Sequence, residues 1–180
     1  MTACLRFTRR VWQSFITNKG HDAQCFPNLV VHRAIPGEVN ATLKIETYNL
    51  HGGLILSMTD TLGSLAVASK GFWMTGVSTD IGTSFVRPAG KPGDVLHVKA
   101  MLTALGKSLA YTRVEFTNPA GDLVAYGYHT KYVGKSSTHQ AGPILSLHGH
   151  LANVPKNEQK NIKLSEDGET VLEGEDLDVD

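Results

Sequence analysis

Asp60 is the only formal charge between Gly52 and Ser69, in a stretch whose Leu54, Ile55, Met58, Leu62, Leu65 and Ala66 fall at helical spacing. An isolated ionised carboxylate in apolar surroundings must be paired, hydrogen-bonded or neutralised. Asp60 is therefore either a partner-satisfied carboxylate, or one on a single wet stripe with Ser57, Thr61 and Ser64, or a general base or nucleophile tuned by its setting. His51-Gly52-Gly53 opens the same helix. Glycine there lets another group approach the backbone, and the first N–H groups of a helix have no intrahelical acceptor. With the positive end of the helix dipole, such donors can hold a developing oxyanion. The same glycines would also serve a plain turn into the helix. His51 either orients this loop through its ring nitrogens or acts as an acid–base group.

The spacing of these groups sets a constraint. Gly52 and Asp60 are eight residues apart in sequence, which on a helix is roughly 12 Å along the axis. Catalytic contacts need about 3 Å, so a carbonyl held at the helix start cannot reach the same chain's Asp60. If both groups act on one substrate, they come from different subunits packed with antiparallel helices, and the active species is an obligate homodimer.

The elements that must position these groups follow from hydrophobic period. Residues 29–35 are short and β-branched, Pro36-Gly37 supplies a turn, and 38–47 alternate with Val39, Ala41, Leu43 and Ile45 on one face. The period then changes to helical over 52–69, with apolar residues on most sides, so the helix must be wrapped by other structure. Gly71 marks its stop. Strands are expected at 76–87, 94–105, 108–117 and 123–133, joined by Gly106-Lys107 and by Asn118-Pro119-Ala120-Gly121-Asp122. Short connections imply antiparallel neighbours. The expected class is α+β, a long apolar central helix wrapped by a curved, mostly antiparallel sheet of about six strands. Three regions follow: 1–27, an N-terminal helix or targeting segment; 28–134, the folded domain; and 135–180, a mobile tail with an acidic end.

Composition narrows the class. Hydrophobic content of 41% and charged content of 19% describe one globular domain. Cys4 and Cys25 cannot build a disulfide framework, and no Cys/His cluster has zinc spacing, His148 and His150 included. A reducing compartment is the default. The run from Leu54 to Ala68 is too short and too polar to span a bilayer. Arg6, Arg9, Arg10 and Lys19 precede the first acid, Asp22, as in mitochondrial transit peptides. Yet Leu5, Val11, Trp12, Phe15 and Ile16 share a helical stripe that would suit a docked helix. Either reading leaves a cytoplasmic or mitochondrial protein. The net charge of zero is also unevenly spread. Eight acids and no base follow Lys163, so residues 1–164 hold 17 basic against 9 acidic groups. The bland reading is an acidic tail on a basic domain; the functional one is a body facing an anionic ligand, and charge alone does not exclude nucleic acid.

His51-Gly52-Gly53 followed by Asp60, then Gly76-Val77-Ser78-Thr79-Asp80, then Gly106-Lys107-Ser108-Leu109-Ala110-Tyr111 and His129-Thr130-Lys131-Tyr132, jointly resemble the acyl-CoA thioesterase branch of the hotdog superfamily over roughly residues 8–134. The resemblance implies that the Gly52 N–H polarises a thioester carbonyl. It implies that Asp60 of the partner subunit activates water or attacks directly, and that Ser78 places the water or the carboxylate; on strand pattern alone Ser78 is a hydroxyl of no consequence. It further implies an acyl-CoA substrate, no cofactor or metal, no nucleic-acid or membrane partner, a homodimer shared at the site and a homotetramer built as a dimer of dimers. Arg87, Lys107 or Lys131 would meet the phosphates of coenzyme A. One departure is visible: relatives carry a longer loop before the glycines, with an Asn about six residues ahead of the His, whereas Asn49 stands two before His51. Asn49 is a shifted substitute, or that donor is missing, a loss that typically costs ~10²–10³ in rate. Competing readings are a hotdog enoyl-thioester hydratase or dehydratase using His51 with Asp60, and a catalytically weak acyl-CoA-binding protein.

Overall fold

A computed structural model of the chain describes residues 1–46, 50–134 and 160–176. Asn49, Ile144, Leu145, His148 and His150 lie outside the described residues. The order of elements is α1 (Ala3–Thr17), α2 (His21–Cys25), β1 (Val30–Ile35), β2 (Glu38–Lys44), α3 (Gly52–Ala68), β3 (Val77–Phe85), β4 (Val95–Leu105), β5 (Leu109–Thr117), β6 (Leu123–Tyr132), β7 (Lys163–Leu164) and β8 (Val171–Glu173). Strands β1 to β6 form one sheet in the order β1-β2-β4-β5-β6-β3. Every neighbouring pair in it is antiparallel. This is the hotdog arrangement, with α3 as the filling.

Why α3 sits inside follows from its composition. Ile55, Met58, Leu62, Leu65 and Val67 leave no broad polar face, and all five are buried. Removing each such side chain from water contributes about 1.5–3 kcal/mol. The inward residues of β2, β4, β5 and β6 alternate as a half-buried sheet requires: Val39, Ala41 and Leu43; Leu96, Val98 and Ala100; Val114 and Phe116; Ala125. Gly71 ends the helical segment with φ +91°, where a Cβ would stand 2.1 Å from the Ile162 carbonyl oxygen, so only glycine fits.

Helix α1 closes the remaining side of the core. Phe7 packs edge-on against Trp73, with ring centroids 6.2 Å apart, and Trp12 stacks on Phe26 at 6.1 Å. Of the stripe read from the sequence, Val11 and Trp12 are buried and Leu5, Phe15 and Ile16 pack partly buried against the core. Among the described residues, no helix is long and apolar enough to cross a membrane.

The C-terminal region differs from the expectation of a mobile tail over 135–180. Residues 160–176 carry the β7–β8 hairpin, and backbone hydrogen bonds hold it to the body. The Ala3 and Cys4 N–H groups donate to the Glu169 and Gly168 carbonyls, at 3.2 and 2.9 Å, and Ile162 N–H donates to Gly71 O at 2.9 Å. The first turn of α1 has free donors that need acceptors, and the hairpin supplies them. An Arg6–Asp176 ion pair adds to this contact.

Candidate active site

His51 is the N-cap of α3, and its Nδ1 accepts from the Gly53 N–H at 3.0 Å. A Cβ on Gly53 would lie 2.9 Å from that nitrogen, so the imidazole cap requires glycine there. The His51 carbonyl accepts from Leu54 N–H at 2.8 Å. His51 therefore orients the helix start, and one of its ring nitrogens is engaged in doing so. Gly52, as the first helical residue, has no intrahelical acceptor for its N–H. The Phe85 ring lies over it, 3.2 Å from where a Cβ would be.

Two turns further on, Asp60 projects toward the inner face of β6 and the start of β3. Its side chain is 51% exposed, with Oδ1 3.5 Å from His129 Nε2 and 3.8 Å from Lys131 Nζ. Neither approach is a full hydrogen bond, so the carboxylate has one cation, Lys131, nearby and keeps its lone pairs available. His129 Nε2 lies 2.8 Å from Ser78 Oγ. Lys131 Nζ donates to Ser64 Oγ at 2.6 Å, and the Ser64 hydroxyl donates to the Asp60 carbonyl at 2.9 Å. Nearby, Thr61 Oγ1 donates to Asp22 Oδ1 at 2.5 Å.

Ser78 reaches this cluster through a β-bulge. Ser78 pairs with Lys131 and Asp80 with Thr130, which leaves Thr79 as the extra residue. A bulge re-aims side chains beside it, and here Ser78, exposed on the edge strand, sets its Oγ beside the His129 ring. Asp80 takes no part in the cluster.

Burial pushes the His129 imidazole down to about 4; the Lys131 charge adds to this and Asp60 opposes it. His129 is thus neutral near pH 7. Its Nδ1 makes no hydrogen bond among the described residues and faces Gly63, where a Cβ would come within 3.0 Å of it. Burial also lowers the Lys131 ammonium from its usual range, with Asp60 and Asp22 acting the other way.

The structure brings Asp60 and Ser78 together and keeps Gly52 apart from both, since α3 is unbroken from 52 to 68. Of the expected phosphate-binding cations, Lys107 is exposed at the β4–β5 turn, and Arg87 is at the surface, 3.1 Å from Asp122. Lys131 is not at the surface. It is 3% exposed and faces a carboxylate, because its position on β6 points inward. His129 was quoted from the sequence only as part of a motif, with no role of its own. The signal that could have found it is the period of β6: Ala125, Gly127, His129 and Lys131 alternate onto the buried face, and polar residues there need a reason. Among the described residues, no group of three His, Cys, Asp or Glu stands close enough to hold a metal ion.

A half-exposed carboxylate beside a serine hydroxyl and a neutral imidazole can hold and deprotonate water, and a free N–H at a helix start can stabilise an oxyanion. On a hotdog fold these groups suit the hydrolysis of a thioester. Comparison with known proteins agrees. The thioesterase superfamily matches residues 48–125. A putative esterase of Schizosaccharomyces pombe is 38% identical over 73% of this chain and 86% of its own length. Human acyl-coenzyme A thioesterase 13 is 36% identical over 56% of this chain and 76% of its own. The crystal structure of zebra fish thioesterase superfamily member 2 is 28% identical, with TM-score 0.66, covering 74% of this chain and 99% of that one. The chain belongs to the thioesterase superfamily.

Proposed function

We propose that the protein hydrolyses acyl-CoA thioesters to free acid and CoA, at a site shared between two copies of the chain. The observation that carries this is the setting of Asp60: an available carboxylate in contact range of His129 and Lys131, with Ser78 joined through His129, roughly 12 Å along a rigid helix from the Gly52 donor. The Gly52 N–H of one subunit polarises the thioester carbonyl. Water held near Ser78 gives its proton to the partner's Asp60 carboxylate as its oxygen adds to the carbonyl carbon. The tetrahedral intermediate then expels the CoA thiolate, which takes up a proton.

Strand β3 supports the shared site. It is an edge of the sheet, and Val77 and Phe85 at its two ends are 65% and 57% exposed. An unpaired, partly apolar edge is a template for pairing with another chain. Antiparallel pairing of two β3 edges would lay two α3 helices side by side in opposite directions, with each Gly52 toward the other Asp60. Exposed Tyr111, Tyr126, Tyr128 and Tyr132 on the outer sheet face suit a second interface, making a dimer of dimers. Exposed Lys107 and Arg87 are the cations offered to CoA phosphates.

The purified chain, given a chain-length panel of acyl-CoAs with a thiol reagent, should release CoA. Asp60→Asn and Gly52→Pro should each be nearly inactive alone. Proline suits the first helical position and removes the N–H, and the preceding His51 already has extended ψ of 137°. The proline Cβ also meets the Phe85 ring at 3.2 Å, so Gly52→Ala, which makes the same contact but keeps the N–H, is the control. An equal mixture of the two variants, refolded together, should recover about a quarter of parental activity, since half the dimers carry one intact site of two. CoA release that persists in Asp60→Asn would sink the mechanism, and no recovery on mixing would sink the shared site.

A further inference from the structure

Strand β6 turns Tyr126, Tyr128 and Tyr132 outward and His129 and Lys131 inward onto α3. Lysine is the exception among inward residues, because an ammonium taken from water needs partners. Lys131 is nonetheless buried. Its Nζ donates to Ser64 Oγ at 2.6 Å and lies 3.8 Å from Asp60 Oδ1. Ser64 has one hydroxyl proton and gives it to the Asp60 carbonyl, so it accepts from the ammonium. Lys131 therefore holds the 60–64 turn twice: its charge faces the Asp60 side chain, and its hydrogen bond reaches the Asp60 backbone through Ser64.

The charged and titratable groups around it are Asp60 from α3, Asp22 from α2, and His129 from its own strand. The flanking strands place Ser78 and Ala110 opposite it, and neither carries charge. For stability alone, an apolar side chain of similar length would serve as well as such a buried ion pair. The 3.8 Å separation also leaves the carboxylate free to accept from water while a cation fixes its place.

Taking Asp60 as the catalytic carboxylate proposed above, we propose that Lys131 is a positioning residue that aims Asp60 at the bound water. Its ammonium is in place beside the carboxylate before substrate arrives. The lowered titration of His129, caused first by burial and next by Lys131, is consistent with this role.

The test uses the full chain with Lys131→Met, Lys131→Gln and Lys131→Arg. The pH dependence of kcat and KM is followed on an acyl-CoA, together with an NMR titration of the His129 imidazole. Met and Gln should lower kcat about tenfold or more with KM within about twofold, because a misaimed base loses rate rather than binding. Both should move the His129 titration upward, and the acid limb of kcat up by about one pH unit. Arg should keep both near the parent. If Lys131→Met does not fold, Lys131→Gln, which retains a donor for Ser64, carries the same expectation. An unchanged kcat and imidazole titration in the neutral variants would overturn the proposal. Loss in all three variants in proportion to lost thermal stability would also overturn it, as plain packing. If the parent chain releases no CoA from any acyl-CoA, the reading of Asp60 fails instead, while the imidazole titration still decides the role of the Lys131 charge.

Discussion

The start and the middle of α3 are built in opposite ways. At the start, the proposed functional group is a backbone N–H, set by an exposed His51 cap and two glycines. In the middle the proposed group is a carboxylate, set by buried His129 and Lys131 of β6, with exposed Ser78 of β3 beside His129. The first depends on local geometry within a few residues. The second depends on long-range contacts, since Asp60 and His129 are brought together only when the sheet closes. One end should therefore tolerate changes in packing but not in backbone, and the other the reverse.

The largest expected effect is at the carboxylate. Asp60→Asn keeps the shape and removes the base, and should lower kcat by ~10³ or more with KM little changed. Steady-state kinetics with one acyl-CoA checks this. Gly52→Pro at the other end should cost ~10²–10³ in kcat, the usual loss for one oxyanion donor, with the far-UV circular dichroism unchanged. A larger loss from the donor end than from the carboxylate would invert the comparison.

The two ends also differed in how far they could be read in advance. Helix α3 and strands β1 to β6 were legible because their periods are clean, and their bounds fall within a few residues of expectation. Within the candidate site, Asp60 stands out in the sequence as the lone charge in an apolar helix, and Gly52 as part of a glycine pair at its start. Ser78 rests on motif resemblance alone, because the bulge that sets it beside His129 is a property of strand pairing. Lys131 was read as a surface cation, since lysine is seldom buried, although the β6 alternation placed it inside. The β7–β8 hairpin was hidden for a different reason. It is held by backbone hydrogen bonds to α1 and Gly71, and these leave no hydrophobic period to detect.

Stability against pH separates the ends a second time. His129 is lowered to about 4 in the folded chain, against about 6.5 when unfolded. Between those values the unfolded state binds the extra proton, so this contribution is fully present above about pH 6.5 and is lost as pH falls toward 4. The loss should be on the order of 2 kcal/mol, measured by urea denaturation at pH 7 and pH 4.5. His129→Gln should flatten that part of the profile. A dependence that survived the substitution would place the titrating group elsewhere than in the carboxylate cluster.

The smallest effect should come from the cap. His51→Ala removes the acceptor for the Gly53 N–H, and losing an N-cap side chain costs about 1 kcal/mol. Because the site is exposed, water can replace the lost acceptor, so the folding penalty should fall at or below that figure. Water does not restore the angle at which the chain enters the helix, and Gly52 is the next residue along. The rate should therefore suffer more than the stability, and His51→Asn, which can still cap, should recover most of it. At the carboxylate end the order is reversed: Gly63→Ala would drive a methyl to within 2.7 Å of Thr112 Oγ1 and 3.0 Å of His129 Nδ1, so packing there fails before the chemistry does. Equal rate losses in His51→Ala and His51→Asn would mean that the ring acts by its own chemistry and not as a cap.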